Sequence, residues 1–566
     1  MDENILTTET ETGEGEFERG EIAPIEDLKR YFTEEATTRE FAGIPPDSFI
    51  ESKFFDIDLS DEFDVVEGYW TSKPFAYTTI VFDETEEKRR YLFFEPVLSD
   101  FEQYVRQDLE QTIRYALRNE DLTTVSDSDR FRDTLERLVV EHGAAIEDGS
   151  LHKIFYYLTR DFIGYGRLDP LMQDPHIEDI SCNGEDRPVF VYHEDYRDLE
   201  TNLEFTGNKL DSLVLSLAQR ADKHLSISHP QDSGTLPDGS RIQLTYDSDI
   251  SPQGSNFTIR KFQEVPFTPI DLIQFNTFSL DQMAYLWLAI ENNMSIMFVG
   301  PTASGKTTSM NAVSLFLPPD GKIISIEKVR EISIPHDNWA SYVSRDMSGS
   351  EKREEISMYD LLQSALHARP EYMLVGEIRT DPVVVRTFFQ SIFTGHPGGT
   401  TFHASSAQNA INRLTSDPLN ITEQMVSAVD LMAVQQQVSI GEQGRRERRN
   451  LNISELRRET ESGDMLELVE LFKWNPTADV MEQTIDSLHE SRVMQEIADN
   501  KGWDQEQLLS ELQNRRRVLE YLIESDITDY DDVIDAFYSF SRNKEQVLDQ
   551  IRTGKFDPSR SDSSPS

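Results

Sequence analysis

The apolar run Ser295-Ile-Met-Phe-Val-Gly300 leads without a break into Gly300-Pro-Thr-Ala-Ser-Gly-Lys-Thr307, and this junction constrains the fold more than any other stretch of the chain. The spacing is G-x-x-x-x-G-K-[ST], with an apolar strand before it and helical spacing over Thr307–Leu317 after it. A strand of purely apolar residues is covered on both faces, which indicates an α/β architecture with a mainly parallel sheet. Gly300 and Gly305 let the backbone turn its N–H groups toward a phosphate, and the helix N-terminus adds its dipole. Lys306 then supplies positive charge to the β- and γ-phosphates, and the Thr307 hydroxyl completes a Mg2+ shell. Pro301, Thr302, Ala303, Ser304 and Thr308 fill out the expected ATP-contacting loop. A fortuitous glycine turn would have no reason to lie between such a strand and such a helix.

Two more apolar runs, Lys322-Ile-Ile-Ser-Ile-Glu327 and Tyr372-Met-Leu-Val-Gly376, predict further strands of this sheet, and Leu280–Asn293 predicts a helix ahead of it. Each run ends on candidate chemistry. In Arg369-Pro-Glu-Tyr-Met-Leu-Val-Gly-Glu-Ile-Arg379, a carboxylate after an apolar run could simply mark a strand end. Beside a phosphate loop, Glu377 can instead hold Mg2+ through its water, flanked by Arg379. In Ile324-Ser-Ile-Glu-Lys-Val-Arg-Glu-Ile332, either Glu327 or Glu331 can polarise an attacking water, and either can equally be part of a solvated charge patch. Thr394-Gly-His-Pro-Gly-Gly-Thr-Thr-Phe-His-Ala404 places His396 and His403, two of only 11 histidines, in a glycine-rich loop. Without carboxylate or cysteine ligands nearby, metal binding is unsupported, and sensing of the γ-phosphate fits better.

At 566 residues the chain exceeds one hydrophobic core, and three or four domains are expected. Ahead of the phosphate loop, the aromatic and β-branched runs Tyr69-Trp70, Phe75–Phe82 and Tyr91–Phe94 predict a hairpin or meander. Helical spacing follows at Phe101–Arg118 and Asp129–Arg160. Strands are expected at Ile177–Gly184, Val189–Tyr192, Ile242–Tyr246 and Phe257–Phe262, with a helix over Leu210–His224. This is an α+β region, closed by the proline-marked linker Val265-Pro-Phe-Thr-Pro-Ile270. Ser487–Ile551 is helical and charged.

Charge bounds the partners. The formal net charge is -50, from 104 acidic and 54 basic residues, and 16 of the basic ones are lysine. Self-repulsion on that scale destabilises a compact state unless ions screen it. An acidic, lysine-poor chain fits a salt-rich cytoplasm and a halophilic source; an ordinary protein with acidic ends is the alternative. Nucleic acid would be repelled unless a basic stripe received it. The dense basic run Arg445-Arg-Glu-Arg-Arg449 lacks aromatics and is easily taken for a hairpin tip. The single cysteine, Cys182, excludes an intramolecular disulfide framework and a cysteine-rich zinc site, in keeping with a reduced interior. Met1–Gly20 carries seven acidic residues and one basic, opposite to a secretory signal. No apolar run approaches the roughly 18–20 residues that a membrane span needs. The expectation is a cytoplasmic protein, peripheral at the inner face of the membrane through a partner.

Taken in order, the glycine loop, the Ile-Glu segment, Gly-Glu-Ile-Arg and Gly-His…His-Ala resemble the type II/type IV secretion ATPase superfamily. The Ile-Glu segment and the histidine segment are similar to its aspartate and histidine boxes. Gly164-Tyr-Gly-Arg-Leu-Asp-Pro-Leu-Met172, Asp174-Pro-His-Ile-Glu-Asp-Ile180, Pro237-Asp-Gly-Ser-Arg241 and Phe257-Thr-Ile-Arg-Lys-Phe262 resemble the archaeal branch, which assembles pili and drives the archaellum. The resemblance implies a homo-hexameric ring of Mg2+-dependent ATPase subunits that acts on a polytopic membrane platform protein. It also implies a RecA-like domain over 273–486, hinged by a linker at 265–272 to an ATP-contacting α+β domain at 131–264. Arg241 and Arg260 would approach the phosphates from that domain. The remainder divides into an acidic tail (1–25), a hairpin and helical region (26–130), a helical region (487–552) and a polar tail (553–566). Lys328 stands where the aspartate box usually carries aspartate, which leaves open whether Glu327 or Glu331 acts on water. Two rivals are a RecA-like nucleic-acid translocase and a nucleotide-binding scaffold without turnover.

Overall fold

The computed structural model describes residues 62–116, 146–247, 249–262, 265–345, 356–378, 381–440, 445–458 and 466–558, with Phe54, Ile57 and Leu59. The expected tail at 1–25, the first part (129–145) of the helical spacing expected over Asp129–Arg160, Arg379 and the last eight residues lie outside them; the rest of that spacing falls in helix Asp148–Phe162. The chain divides into two units, Met1–Phe262 and Gln263–Ser566.

The first unit is built on one nine-stranded sheet. Its strands are β1 (Phe63–Ser72), β2 (Ala76–Asp83), β3 (Lys88–Phe94), β4 (Ile177–Cys182), β5 (Pro188–His193), β6 (Arg197–Glu204), β7 (Gln231–Thr235), β8 (Arg241–Thr245) and β9 (Asn256–Arg260). They are ordered β1-β2-β3-β6-β5-β4-β9-β8-β7. The aromatic meander β1–β3 is therefore not separate. It joins the following strands through the parallel pairing of Arg90 with Glu200 and Tyr91 with Thr201. Helix Gly207–Arg220 buries Leu210, Val214, Leu217 and Ala218, the i, i+4, i+7, i+8 stripe expected of a helix lying on a sheet.

The second unit carries β10 (Ile296–Val299), β11 (Ile323–Glu327), β12 (Trp339–Val343), β13 (Tyr372–Ile378), β14 (Gly398–Phe402), β15 (Leu431–Ile440), β16 (Arg445–Arg458), β17 (Leu466–Asn475) and β18 (Val480–Gln483). The order is β12-β11-β13-β14-β10-β15-β16-β17-β18. The first six in that order run parallel, and the last three extend the sheet antiparallel. One expectation is corrected here. The Gly-Gly-Thr-Thr-Phe segment is a buried central strand, β14, and not a glycine-rich loop. A Cβ on Gly398 would meet the Met373 carbonyl oxygen at 2.6 Å, so glycine is what lets this strand approach β13.

The C-terminal helices belong to the core of this unit. Helix Leu280–Glu291 starts with a capping box from Ser279 and Gln282 and is buried on every side from Gln282 to Ile290. Trp287 on it stacks on Phe316 and touches Phe537 and Phe540, with ring centroids 4.8–5.1 Å apart. Each such buried aromatic contributes about 1.5–3 kcal/mol relative to exposure. Arg515, reaching from helix Gln505–Glu524, pairs with Glu291 and Glu511.

Candidate active site

Parallel strands bring their C-terminal ends to one edge of the sheet, and the described candidate residues of the second unit gather there, except His396, which precedes β14 and lies at the opposite edge. From β10 the chain enters the loop at Gly300 and leaves through Gly305, whose φ of +86° caps helix Lys306–Ser314. A side chain at Gly300 would collide with the Gln435 carbonyl oxygen at 2.3 Å, so this position too requires glycine. Inside the loop, Ser304 Oγ donates to the Pro301 carbonyl at 2.8 Å, and Lys306 Nζ donates to the same oxygen at 2.6 Å. Lys306 is thereby folded over the loop that it would serve. Thr307 and Thr308 occupy the first turn of the helix.

Glu377 lies on β13 just past an irregularity of register between Val375 and Glu377. Such a bulge re-aims a side chain. His403 follows directly on β14, and its Nε2 stands 2.5 Å from Glu377 Oε1. The sequence separates these two residues into different motifs; the fold makes them one pair. His396 does not join them. Its backbone N–H bonds the Ser391 carbonyl, and its Nδ1 is buried without a hydrogen-bond partner among the described residues.

The two alternative glutamates are distinguished by their surroundings. Glu327, 2% exposed, accepts the backbone N–H groups of Glu331 at 2.9 Å and Ile332 at 3.0 Å on Oε1. Gly376 admits it: a Cβ there would lie 3.1 Å from Glu327 Cγ. Glu331 is only partly buried, and its carbonyl receives Asn311 Nδ2 at 2.8 Å. Asn311 Oδ1 also takes the Ser333 N–H, so the phosphate-loop helix holds this segment at both ends.

Nothing in the sequence singles out Asn311, Gln435 or Arg448. The Gln435 side-chain amide bonds Ser309 on the phosphate-loop helix. The Arg448 Cδ lies 3.4 Å from where a Cβ on Gly305 would stand. The run Arg445–Arg449 gives the only hint, and its tie to the loop depends on β16 lying two strands from β10.

In the first unit, Arg241 and Arg260 face each other as a cross-strand pair on β8 and β9. Arg260 also pairs in register with Asp179 on β4. Burial pushes the Asp179 carboxyl up, and the Arg260 charge opposes the rise. Among the described residues no group of three or more His, Cys, Asp or Glu is arranged to hold a metal ion. No described helix is long and apolar enough to cross a membrane.

A family model described as type II/IV secretion system protein matches residues 215–526, and a PilB3-like N-terminal model matches residues 45–97. An uncharacterised protein of Methanocaldococcus jannaschii is 35% identical over 489 residues, covering 81% of this chain and 86% of its own. The type IV secretion system protein VirB11 of Bartonella henselae is 27% identical over 288 residues, 44% of this chain and 79% of its own. Among solved structures, the Legionella pneumophila ATPase DotB is 19% identical with a TM-score of 0.38, covering 68% of this chain and 93% of that one.

Proposed function

Because the chain belongs to the type II/IV secretion system protein family, a family of ATPases, we propose that it is a Mg2+-dependent ATP hydrolase working as a homo-hexameric motor for an archaeal type IV pilus-like filament, a pilus or an archaellum. The observation that carries this reading is the edge of the second sheet, where the phosphate loop and the Glu377–His403 pair meet at the ends of neighbouring parallel strands.

In this reading the loop N–H groups and Lys306 bind the phosphates, with Lys306 exchanging its Pro301 carbonyl for phosphate oxygen. A Mg2+ ion fits this site although the described residues form no cage of His, Cys, Asp or Glu, because Mg2+ keeps most of its waters and takes few protein ligands beside the phosphates. Thr307 would hold it directly and Glu377 through water, and when bound it neutralises charge between the β- and γ-phosphates. Glu327 Oε1 accepts two backbone N–H groups and so shapes the loop, while its other oxygen takes no part in those bonds; Glu327 and Glu331 both stay candidates for polarising the attacking water. His403 orients Glu377 and senses the γ-phosphate, a part not given to His396, which lies at the far end of β14 from the phosphate loop. Arg241 and Arg260, paired on their sheet, are the arginines that the first unit would offer to phosphates, and Arg379 flanks Glu377 in sequence. Flexing at the linker 265–272 would pass the cycle to a membrane platform protein, keeping the motor at the inner face of the membrane in the cytoplasm. The relative from Methanocaldococcus jannaschii supports the archaeal setting.

The test is Mg2+-dependent ATP turnover in high salt by the native chain, Lys306→Ala and Glu377→Gln. Lys306→Ala is expected to lose binding and turnover. Glu377→Gln is expected to keep binding and lose about 10²–10⁴-fold in kcat, the range for a misplaced acid–base or water-positioning group. ATP binding without turnover in the native chain would move the conclusion to the scaffold.

A further inference from the structure

The strands β15 and β16 continue past the edge where the site lies. β10 ends at Val299, level with Val434 on β15, yet β15 runs on to Ile440 with β16 paired beside it. The two strands therefore project as a ribbon next to the phosphate loop, and the basic run Arg445–Arg449 lies on this projection. Its residues do not share one task. Arg449 is buried and fixed from several sides: Nε and Nη2 bond the Asp479 carboxylate at 2.9 and 3.0 Å, and Nη1 bonds the Phe275 carbonyl at 3.0 Å. Trp474 Nε1 bonds the same carboxylate at 2.9 Å. Since side chains alternate along a strand, anchoring Arg449 on one face directs Arg448 to the other. That face is the one toward the loop, where the Arg448 stem lies against Gly305. Gln435, fully buried beside it, is tied to the phosphate-loop helix through Ser309. Its amide oxygen lies 3.9 Å from the same Gly305 position and has no hydrogen-bond partner among the described residues.

The order of the strands says which end of a nucleotide this arginine would meet. Glu377 lies on β13 and His403 directly follows β14, both on one side of β10; the ribbon stands on the other. A nucleotide that presents its γ-phosphate to Glu377 and His403 turns its α-phosphate and sugar away from them, toward the ribbon. We infer that Arg448 is a nucleotide-holding residue that binds the sugar-side phosphate of ATP and ADP alike, supplied by the same subunit that carries the phosphate loop. A guanidinium suits the role, since its planar fork matches phosphate oxygens and it remains charged. Local positive charge is also what a phosphate needs to dock on a chain of net charge -50.

The inference rests on the phosphate-loop reading and is tested so that the two fail separately. Binding of Mg-ADP and of a non-hydrolysable Mg-ATP analogue is measured by calorimetry on the full chain, Lys306→Ala and Arg448→Met, the last keeping the apolar stem. The expected result is a loss of about tenfold in affinity for both nucleotides in Arg448→Met, the size of one charge-assisted hydrogen bond. Unchanged ADP binding overturns the inference, whether or not the ATP analogue weakens, because an effect confined to ATP belongs to the γ-phosphate. Native chain that binds neither nucleotide, or binds equally well with Lys306→Ala, overturns the loop reading itself. Should Arg448→Met melt at a lower temperature than the native chain, arginine-specific dicarbonyl labelling of native protein decides, read at Arg448 by peptide mass spectrometry. Mg-ADP must shield Arg448, and labelling that ADP leaves unchanged overturns the inference.

Discussion

Glu377 Oε1 and His403 Nε2 lie 2.5 Å apart at the ends of adjacent strands. A carboxylate set this close against an imidazole is restrained in direction. Replacing His403 by alanine removes the restraint without touching the loop that binds the phosphates. The expected outcome for His403→Ala is nucleotide affinity within about threefold of native and a fall in kcat of about 10²-fold or more. His396→Ala is the comparison, because His396 lies outside the pair; similar losses of turnover in both variants would sink the orientation argument. Calorimetry and steady-state kinetics on the two variants supply the readout. A merely structural histidine would instead lower the melting temperature and leave kcat of the folded fraction intact.

At the scale of elements, the attachment of helix Arg492–Lys501 to β16 is governed by one buried carboxylate. Glu455, fully buried, accepts the Val493 and Arg492 N–H groups at 3.0 Å each, Arg457 Nη2 at 2.9 Å, the Tyr285 hydroxyl at 3.1 Å and the Ser491 hydroxyl. Burial pushes its carboxyl up, but the bonds from Ser491, Val493, Arg457 and Arg492 together hold it below the usual carboxylate range. A carboxylate with a depressed folded pKa contributes stability that is present above its unfolded pKa and is lost as pH falls through the folded one. The native chain is therefore expected to lose melting temperature more steeply than Glu455→Gln below pH ~4.5. At neutral pH Glu455→Gln should already cost about 1.5–3 kcal/mol through lost charge-assisted bonds. Parallel acid-side slopes for the two proteins in circular-dichroism melts would refute this. Elements of this kind also mark the limit of what the sequence reveals. β10, β11 and β13 are legible because they are continuous apolar runs, as central parallel strands are. β14 reads as a loop in the sequence because Gly398 and Gly399 satisfy a steric demand of neighbouring strands that leaves no periodic trace. The ribbon is legible only as the hairpin tip at Arg445–Arg449; its reach is not, because Gln436 and Gln437, with Arg449 and Arg448 opposite them, extend past the apolar core, where alternation of hydrophobic residues is not needed. Arg448 does not stand out within its basic run, since its meaning comes from which strand lies beside the loop. The surroundings of Glu327 and Glu331 differ in a way only the fold shows, through the backbone bonds that Glu327 Oε1 accepts.

For the whole molecule the decisive quantity is charge. With 104 acidic residues against 54 basic ones, the acidic excess has no internal complement. The ion pairs that do exist, such as Arg160 with Glu95 in the first unit and Arg515 with Glu291 and Glu511 in the second, consume basic residues already in short supply. What remains is carboxylate facing carboxylate across the surface, as at Asp532, where burial and then the charges of Asp529 and Asp535 push the carboxyl up. Repulsion of this type acts over distance and is screened by salt, with a Debye length of about 10 Å at 0.1 M and about 3 Å at 1 M. Buried pairs are screened far less, so added salt removes more repulsion than attraction. The melting temperature is therefore expected to rise by about 10 °C or more between 0.1 and 2 M KCl. That corresponds to about 5–6 kcal/mol for a unit of several hundred residues. Potassium chloride is the salt to use, because sulfate or phosphate would also strengthen apolar burial and confuse the cause. A melting temperature that stays flat across that range would mean that the acidic surface is already tolerated in dilute salt. The salt-rich cytoplasm would then lose its support, and the acidic excess would be a property of the surface alone.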